Sequence, residues 1–235
     1  QGFYLSNLGN THTTWENDKG LDIGLDASLF NHFELTVDWY RKTIGGLLFR
    51  ASVPGTLGGA TPPVINLGNV SNNGVDVAID YRNNIGNDIN YHVGVNVTAY
   101  KNKILTMPNN YQDDAGNRVN AIVRHQVGHS IGEFFGYQTT GFYPASDFTK
   151  VGNSYVPNAG VVAYAGAQPG SFMYADVNGD KQITDADRTF IGNPNPDFTY
   201  GINLGASYKA FDFSAIFYGS YGNQDYNYTL YWTDF

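Results

Sequence analysis

The residues best placed to do chemistry lie in the stretch "DVNGDKQITDAD". They are the oxygen-bearing side chains Asp176, Asn178, Asp180, Gln182, Thr184 and Asp187. Counted from Asp176, these are positions 1, 3, 5, 7, 9 and 12, the spacing with which an oxygen-only loop wraps a calcium ion. Asp176, Asn178, Asp180 and Asp187 would bind Ca2+ through their side chains, and Gln182 through its carbonyl. Two departures weaken the match. Lys181 stands where such loops carry Gly, and Asp187 stands where they carry a bidentate Glu. The same residues also read as a tight acidic turn whose carboxylates accept local backbone N–H groups. In either case the stretch would stabilise a loop and carry no catalysis.

Other chemistry is sparse. His12, His32, His92, His125 and His129 fall in different segments. His125 and His129 are four apart, but Gly128 and its Gly-rich flank argue against a helix presenting them together, so all five read as surface or lumen polar residues. The acidic pairs Asp22/Asp26 and Asp76/Asp80 recur with strand period and read as members of a polar wall. Hydrolysis by two carboxylates would need a fixed separation across a substrate, which spacing alone does not supply. Gly-x-Ser-x-Gly and phosphate-loop patterns are absent. No catalytic residue is expected, and the chain does not read as an enzyme.

The elements that must position these groups are strands. Leu21, Ile23, Leu25, Ala27 and Leu29 alternate with Asp22, Gly24, Asp26 and Ser28. Phe33, Leu35, Val37 and Trp39 alternate with Glu34, Thr36, Asp38 and Tyr40. Successive strand side chains point to opposite faces, so each segment has one apolar and one polar face. Only Phe30, Asn31 and His32 separate them, which predicts an antiparallel hairpin. The pattern returns at Val75–Tyr81 and at Ile89–Ala99, joined by a short connection. It returns again in the hairpin Thr199–Lys209 with Phe211–Tyr221. Six strands follow from this alternation, and roughly two more are expected between residues 131 and 180, with 144–198 otherwise irregular.

The chain has 235 residues, a net charge of −8, no cysteine, 18 Tyr and 15 Phe. The negative balance argues against nucleic acid, whose phosphates need clustered Lys and Arg. The lack of cysteine excludes a disulfide framework and a thiolate metal site. No run approaches the ~18 apolar residues of a spanning helix, but barrel strands need only ~9–11 alternating residues each. Connections alternate between short (near residues 31, 86 and 210) and long, as in an outer-membrane barrel. Phe33, Tyr81, Tyr91, Tyr208 and Phe211 flank the short ones in the apolar phase, as an interfacial belt would. The fold class expected is all-β, part of a large antiparallel transmembrane β-barrel with long external loops. The competing reading is a soluble, calcium-stabilised, carbohydrate-binding β-sandwich, although sandwich strands average only ~5–6 residues. Gln1 opens within what reads as a loop, so the chain is expected to be a piece of a longer protein. Before and within the closing "YWTDF", Thr229 and Thr233 break the apolar alternation, so its final Phe does not read as a barrel terminus.

Four stretches together resemble the C-terminal barrel region of the SusC/RagA family of TonB-dependent outer-membrane transporters. They are "TWENDKGLDIGLDASLFNHFELTVDWYRKTIGGLLF" (14–49), "NLGNVSNNGVDVAIDYRN" (66–83), "VGHSIGEFFGYQTTGFY" (127–143) and "PGSFMYADVNGDKQITDADRTFIGNPNPDFTYGINLGASYKAFDFS" (169–214). The resemblance implies that residues 1–235 are one partial barrel domain, supplying about six to eight of 22 strands. The plug and the remaining strands would lie elsewhere in the protein. It also implies import of an oligosaccharide or peptide across the outer membrane of a Bacteroidetes-type bacterium. The implied partners are the TonB complex, a SusD-like surface lipoprotein acting as a lid, and outer-membrane lipid. Aromatic loops such as Tyr226–Trp232 would pack on the lid protein or stack on sugar rings.

Overall fold

The computed structural model describes residues 9–50, 61, 63–66, 68–107, 113–114, 122–227 and 229–230. The opening residues 1–8, most of the Gly/Pro-rich stretch 51–62 and the end of the aromatic segment, 231–235, lie outside them. Described in chain order, the strands are β1 (Asn17–Leu29), β2 (Phe33–Gly45), β3 (Leu48–Arg50), β4 (Val64–Asn66), β5 (Asn69–Ile85), β6 (Ile89–Thr106), β7 (Asp113–Asp114) and β8 (Arg124–His125). They continue with β9 (Phe134–Tyr137), β10 (Thr139–Phe142), β11 (Phe148–Val151), β12 (Ser154–Pro157), β13 (Phe172–Tyr174), β14 (Arg188–Gly192), β15 (Phe198–Tyr208) and β16 (Phe211–Tyr221). By contacts the chain divides into two compact units.

The first unit holds a six-stranded antiparallel sheet of order β1-β2-β5-β6-β15-β16. These strands run from 11 to 18 residues, long enough to cross a bilayer. Each short turn has its own local cause. Between β1 and β2, Phe30 and Asn31 both take positive φ (55° and 60°), and His32 N–H donates to the Leu29 carbonyl at 3.2 Å. That is the primed turn whose twist matches two paired strands. Asn suits the conformation, whereas a bulky Phe adopts it rarely. Between β5 and β6 the same need is met by Gly86 at φ 61°. Between β15 and β16 the two-residue turn places Lys209 at φ 52°. The remaining connections are long. One contains the β3–β4 ribbon, and residues 107–197 intervene between β6 and β15, which pair directly. Short and long ends therefore alternate as expected.

Register makes the two faces continuous. Leu25 lies opposite Val37, Val37 opposite Val77, and Val77 opposite Val97. Across the next pairs Val95 faces Ile202 and Ile202 faces Phe217. A one-residue slip would turn every apolar side chain to the other face. The hairpins also step relative to one another: Tyr81 pairs with Phe33 at the end of β2, while β5 runs on to Ile85. Tilted barrel strands require such a stagger.

The second unit comprises residues 114–124 and 133–192. It is built from three two-stranded ribbons, β9–β14, β10–β13 and β11–β12. The strands expected between 131 and 180 thus exist, but as ribbons of 3–5 residues and not as members of the sheet. The physical reason is length. "FFGY" and "TTGF" are too short to span lipid, and Gly141, at φ 152°, interrupts the register of β10. The unit has its own small core of Tyr143, Phe148 and Ala167. The rings of Tyr143 and Phe148 meet edge-on at 5.4 Å, and the Tyr143 hydroxyl donates to the Val162 carbonyl at 2.7 Å. Elsewhere in the unit the Arg124 guanidinium sits 3.5 Å from the centre of the Phe135 ring.

Candidate functional site: a two-faced strand wall and an acidic turn

One face of the six-stranded sheet is apolar and bare. Leu25 is 60% exposed, Ile23 61% and Phe213 61%. In a water-soluble sandwich these side chains would be buried between sheets. Among the described residues nothing covers them, so the sandwich reading is set aside. At the short-turn end this face carries Phe33, Tyr81, Tyr91, Tyr208 and Phe211. The Phe33 and Tyr81 rings stand 4.5 Å apart, and Tyr81 and Tyr91 5.9 Å. At the long-loop end Phe198 stacks on Tyr221 at 5.3 Å. Ten residues separate Phe198 from Tyr208. At ~3.4 Å per residue and a tilt of ~40°, that places the two aromatic edges about 26 Å apart in depth, close to the ~25 Å apolar band of an outer-membrane barrel.

The opposite face is polar. On β1, β2 and β5 it is acidic, with Asp38 directly opposite Asp76 and Glu34 directly opposite Asp80. Thr36 Oγ1 donates to Asp26 Oδ1 at 2.7 Å, while Asp76 Oδ1 is buried without a hydrogen-bond donor. On β6, β15 and β16 amides and hydroxyls predominate, with Asn96, Thr98, Asn203, Ser207 and Ser214, and Asp212 is the acid opposite Ser207. Ile216 and Tyr218 on β16 depart from the pattern and lie in the polar phase. Basic groups are few. Lys42 pairs with Asp18 at 2.7 Å, and Arg82 approaches Glu34 at 4.0 Å. The expected placement of Asp22/Asp26 and Asp76/Asp80 on one polar wall therefore holds.

The 176–187 stretch forms a self-capped turn in the second unit. Asp176 accepts from Gly179 N–H at 2.7 Å and from Lys181 N–H at 2.8 Å. Asp180 accepts from Gln182 N–H at 2.8 Å and from the Asn178 amide at 3.1 Å. Lys181 itself takes φ 64°, the left-handed conformation that a Gly at this place would supply. Asp187 is fully buried and accepts from Thr184 N–H at 2.8 Å and Val177 N–H at 3.0 Å, closing a capping box with Thr184. The Thr184 N–H leads the bonds that hold the Asp187 carboxyl below the usual range. Burial opposes them, and the Asn178 and Val177 N–H groups and the Asp176 side chain add to them. The turn thus closes around two carboxylates with separate backbone donors, Gly179 and Lys181 for Asp176 and Val177 and Thr184 for Asp187. Gln182 contributes its N–H, which donates to Asp180. Among the described residues, no three or more His, Asp or Glu cluster closely enough to hold a metal.

Two features escaped sequence reasoning. His125 is buried, not surface-exposed, and lines a small apolar pocket with Val70, Ile104 and Ile131. An asparagine network also ties the chain back onto the long-loop end of the sheet. Asn102 accepts from Ile131 N–H at 2.8 Å and donates to Asn72 at 2.7 Å. Asn195 donates to the Ile131 carbonyl at 3.1 Å, and Asn193 N–H donates to Gln224 at 3.0 Å. The recurrent Asn residues in "NNG" and "NPNP" were the available signal.

A wall of long antiparallel strands, apolar on one face and polar on the other, marks this chain as part of an outer-membrane β-barrel. Residues 1–215 match the family model "TonB dependent receptor-like, beta-barrel", and the chain belongs to that family. It is 34% identical to TonB-dependent receptor P3 of Formosa agariphila, over 97% of this chain and 23% of that protein. It is 23% identical to TonB-dependent receptor SusC of Bacteroides thetaiotaomicron, over 92% of this chain and 20% of that protein. Its fold is similar to a chain in the structure of the RagAB peptide importer in the closed-closed state, with a TM-score of 0.70 and 22% identity. That match covers 93% of this chain and 22% of the other. The chain spans less than a quarter of the length of the curated relatives it matches. The shared family is that of TonB-dependent receptor barrels. Among the described residues no helix is long and apolar enough to cross a membrane, which says nothing of strands.

Proposed function

We propose that the whole protein imports an oligosaccharide or a peptide across the outer membrane, energised through TonB, with a SusD-like surface lipoprotein as its lid. The continuous two-faced wall carries this reading. Its polar face lines a passage while its apolar face meets acyl chains. Family membership supports the energy source, and the likeness to a peptide importer supports peptides as one cargo class. The acids, amides and hydroxyls of the polar face suit neutral or basic polar oligomers, which exchange hydrogen bonds with water for those of the wall. The test is accumulation of dye-labelled oligosaccharides and oligopeptides by cells carrying the full-length receptor. Accumulation of one class that stops when TonB is removed is expected; accumulation that persists without TonB would sink the reading. A lipoprotein co-purifying with the receptor would identify the lid.

For the acidic turn we propose that backbone donors set its shape and that Ca2+ adds to it. Each carboxylate oxygen that accepts one N–H keeps a second lone pair, and Asp176, Asn178, Asp180 and the Gln182 carbonyl supply oxygen only. Calorimetric titration of the full-length receptor with CaCl2 is expected to saturate at one equivalent, and the heat should vanish in Asp180→Asn. No heat in the unaltered receptor would leave the turn purely self-capped.

A further inference from the structure

We propose that Lys19, Arg41, Lys101 and Lys103 form a site on the lipid-facing side of the wall for the phosphate groups of an anionic lipid in the outer leaflet; this rests on the assignment of faces and not on the cargo. Strand phase sorts the charges of the six-stranded sheet. Every Asp and Glu of its strands stands in the polar phase. Lys19, Arg41, Lys101 and Lys103 stand in the apolar phase, and all four are exposed. The cations of the polar phase meet carboxylates, Lys42 with Asp18 and Arg82 with Glu34. Among the described residues no carboxylate lies within ion-pair reach of the four outward cations. In a chain of net charge −8 this is a local reversal of sign, on the face that meets lipid.

Register gathers the four into one patch. Asn73 alone stands between Arg41 and Lys101, and Lys19, Thr43, Ser71 and Lys103 form a single row across four strands. With strands ~4.8 Å apart and same-face neighbours ~6.8 Å apart along a strand, the patch measures about 14 Å by 7 Å, the footprint of a large headgroup. Arg41 follows the short-turn ring Phe33 by eight residues on β2, and Lys103 follows Tyr91 by twelve on β6. At ~40° tilt these are depths of about 21 and 31 Å, at the far edge of a ~25 Å apolar band. Trp39, the same-face neighbour of Arg41, is the ring expected at such an interface. Long loops mark this end as external, so the headgroups at this depth are those of the outer leaflet. On β15 and β16 the same edge carries Phe198, Tyr200 and Tyr221 and no cation, which confines the patch to one arc of the wall. At headgroup depth a guanidinium can grip a phosphate with two N–H groups while the lysines supply point charge.

The test is native mass spectrometry of the full-length receptor in a neutral detergent, titrated with diphosphorylated lipid A or with its dephosphorylated form. A basic residue beside an anionic lipid surface is worth about fivefold in affinity. Arg41→Gln combined with Lys101→Gln is therefore expected to weaken lipid A binding about 25-fold, and the unaltered receptor should hold dephosphorylated lipid A comparably weakly. Lys101→Arg should keep the affinity. Lys42→Gln, one residue from Arg41 but on the other face, should leave it unchanged. Heat-shifted gel migration checks that each variant is folded. Undiminished binding by the double variant, equal binding of the dephosphorylated lipid, or an equal loss with Lys42→Gln overturns the proposal. Displacement of lipid A by inorganic phosphate at matched concentration would also overturn it, by making this a site for free phosphate. So would a receptor dimer that dissociates in the double variant, which would assign the patch to a second copy. Lipid A binding that behaves as expected in a receptor that imports neither cargo class would remove the import reading alone.

Discussion

Leu204→Arg is the substitution that most directly asks which face meets lipid. Leu204 sits in β15 between Val93 of β6 and Ala215 of β16, on the apolar face. It lies four residues from Tyr208 at the short-turn edge. At ~3.4 Å per residue and ~40° tilt, its depth below that edge is about 10 Å, near the middle of a ~25 Å apolar band. An arginine at the midplane of a barrel's lipid face costs about 2–4 kcal/mol, and every 1.4 kcal/mol is tenfold, so the folding constant should fall by roughly 30- to 1000-fold. Asn203→Arg, one residue away, points to the polar face and should cost roughly 1 kcal/mol or less. Guanidinium titration of the full-length receptor in phospholipid vesicles, followed by tryptophan fluorescence, measures both. Equal costs would refute the assignment of faces, and so would a larger cost for Asn203→Arg.

Further expectations concern the second unit and the hairpin turns. Tyr143→Phe leaves the Val162 carbonyl without its donor inside a small core and should cost about 1–3 kcal/mol, read as faster amide exchange across residues 143–167. Asp187 has a carboxyl held below its ordinary value, so its stabilisation is complete above about pH 4 and is lost as pH falls through the lower folded value. Amide protection of residues 177–184 should follow that course, and Asp187→Asn should flatten it. Protection unchanged from pH 6 to pH 2 would contradict the role given to this carboxylate. Phe30→Gly should relieve the left-handed strain at the β1–β2 turn and stabilise the hairpin by about 1 kcal/mol, provided that Phe30 makes no compensating contact with the membrane surface. The unfolding midpoint measured in lipid and in detergent separates the two effects.

Alternation alone was enough to place all six strands of the sheet, and with them the two faces and the short turns. Strand geometry makes these properties local: period two assigns each side chain a face, and a short linker forces neighbours to pair. The acidic turn was legible for the same reason, since its bonds all fall within twelve residues. Contacts between distant residues were not legible. That β6 pairs with β15 across residues 107–197 depends on closing a long loop, and no local pattern records it. The buried His125 and the asparagine network were likewise set by register, which decides what stands across from what. Sequence determined which way each residue faces; only the assembled sheet decided what it faces.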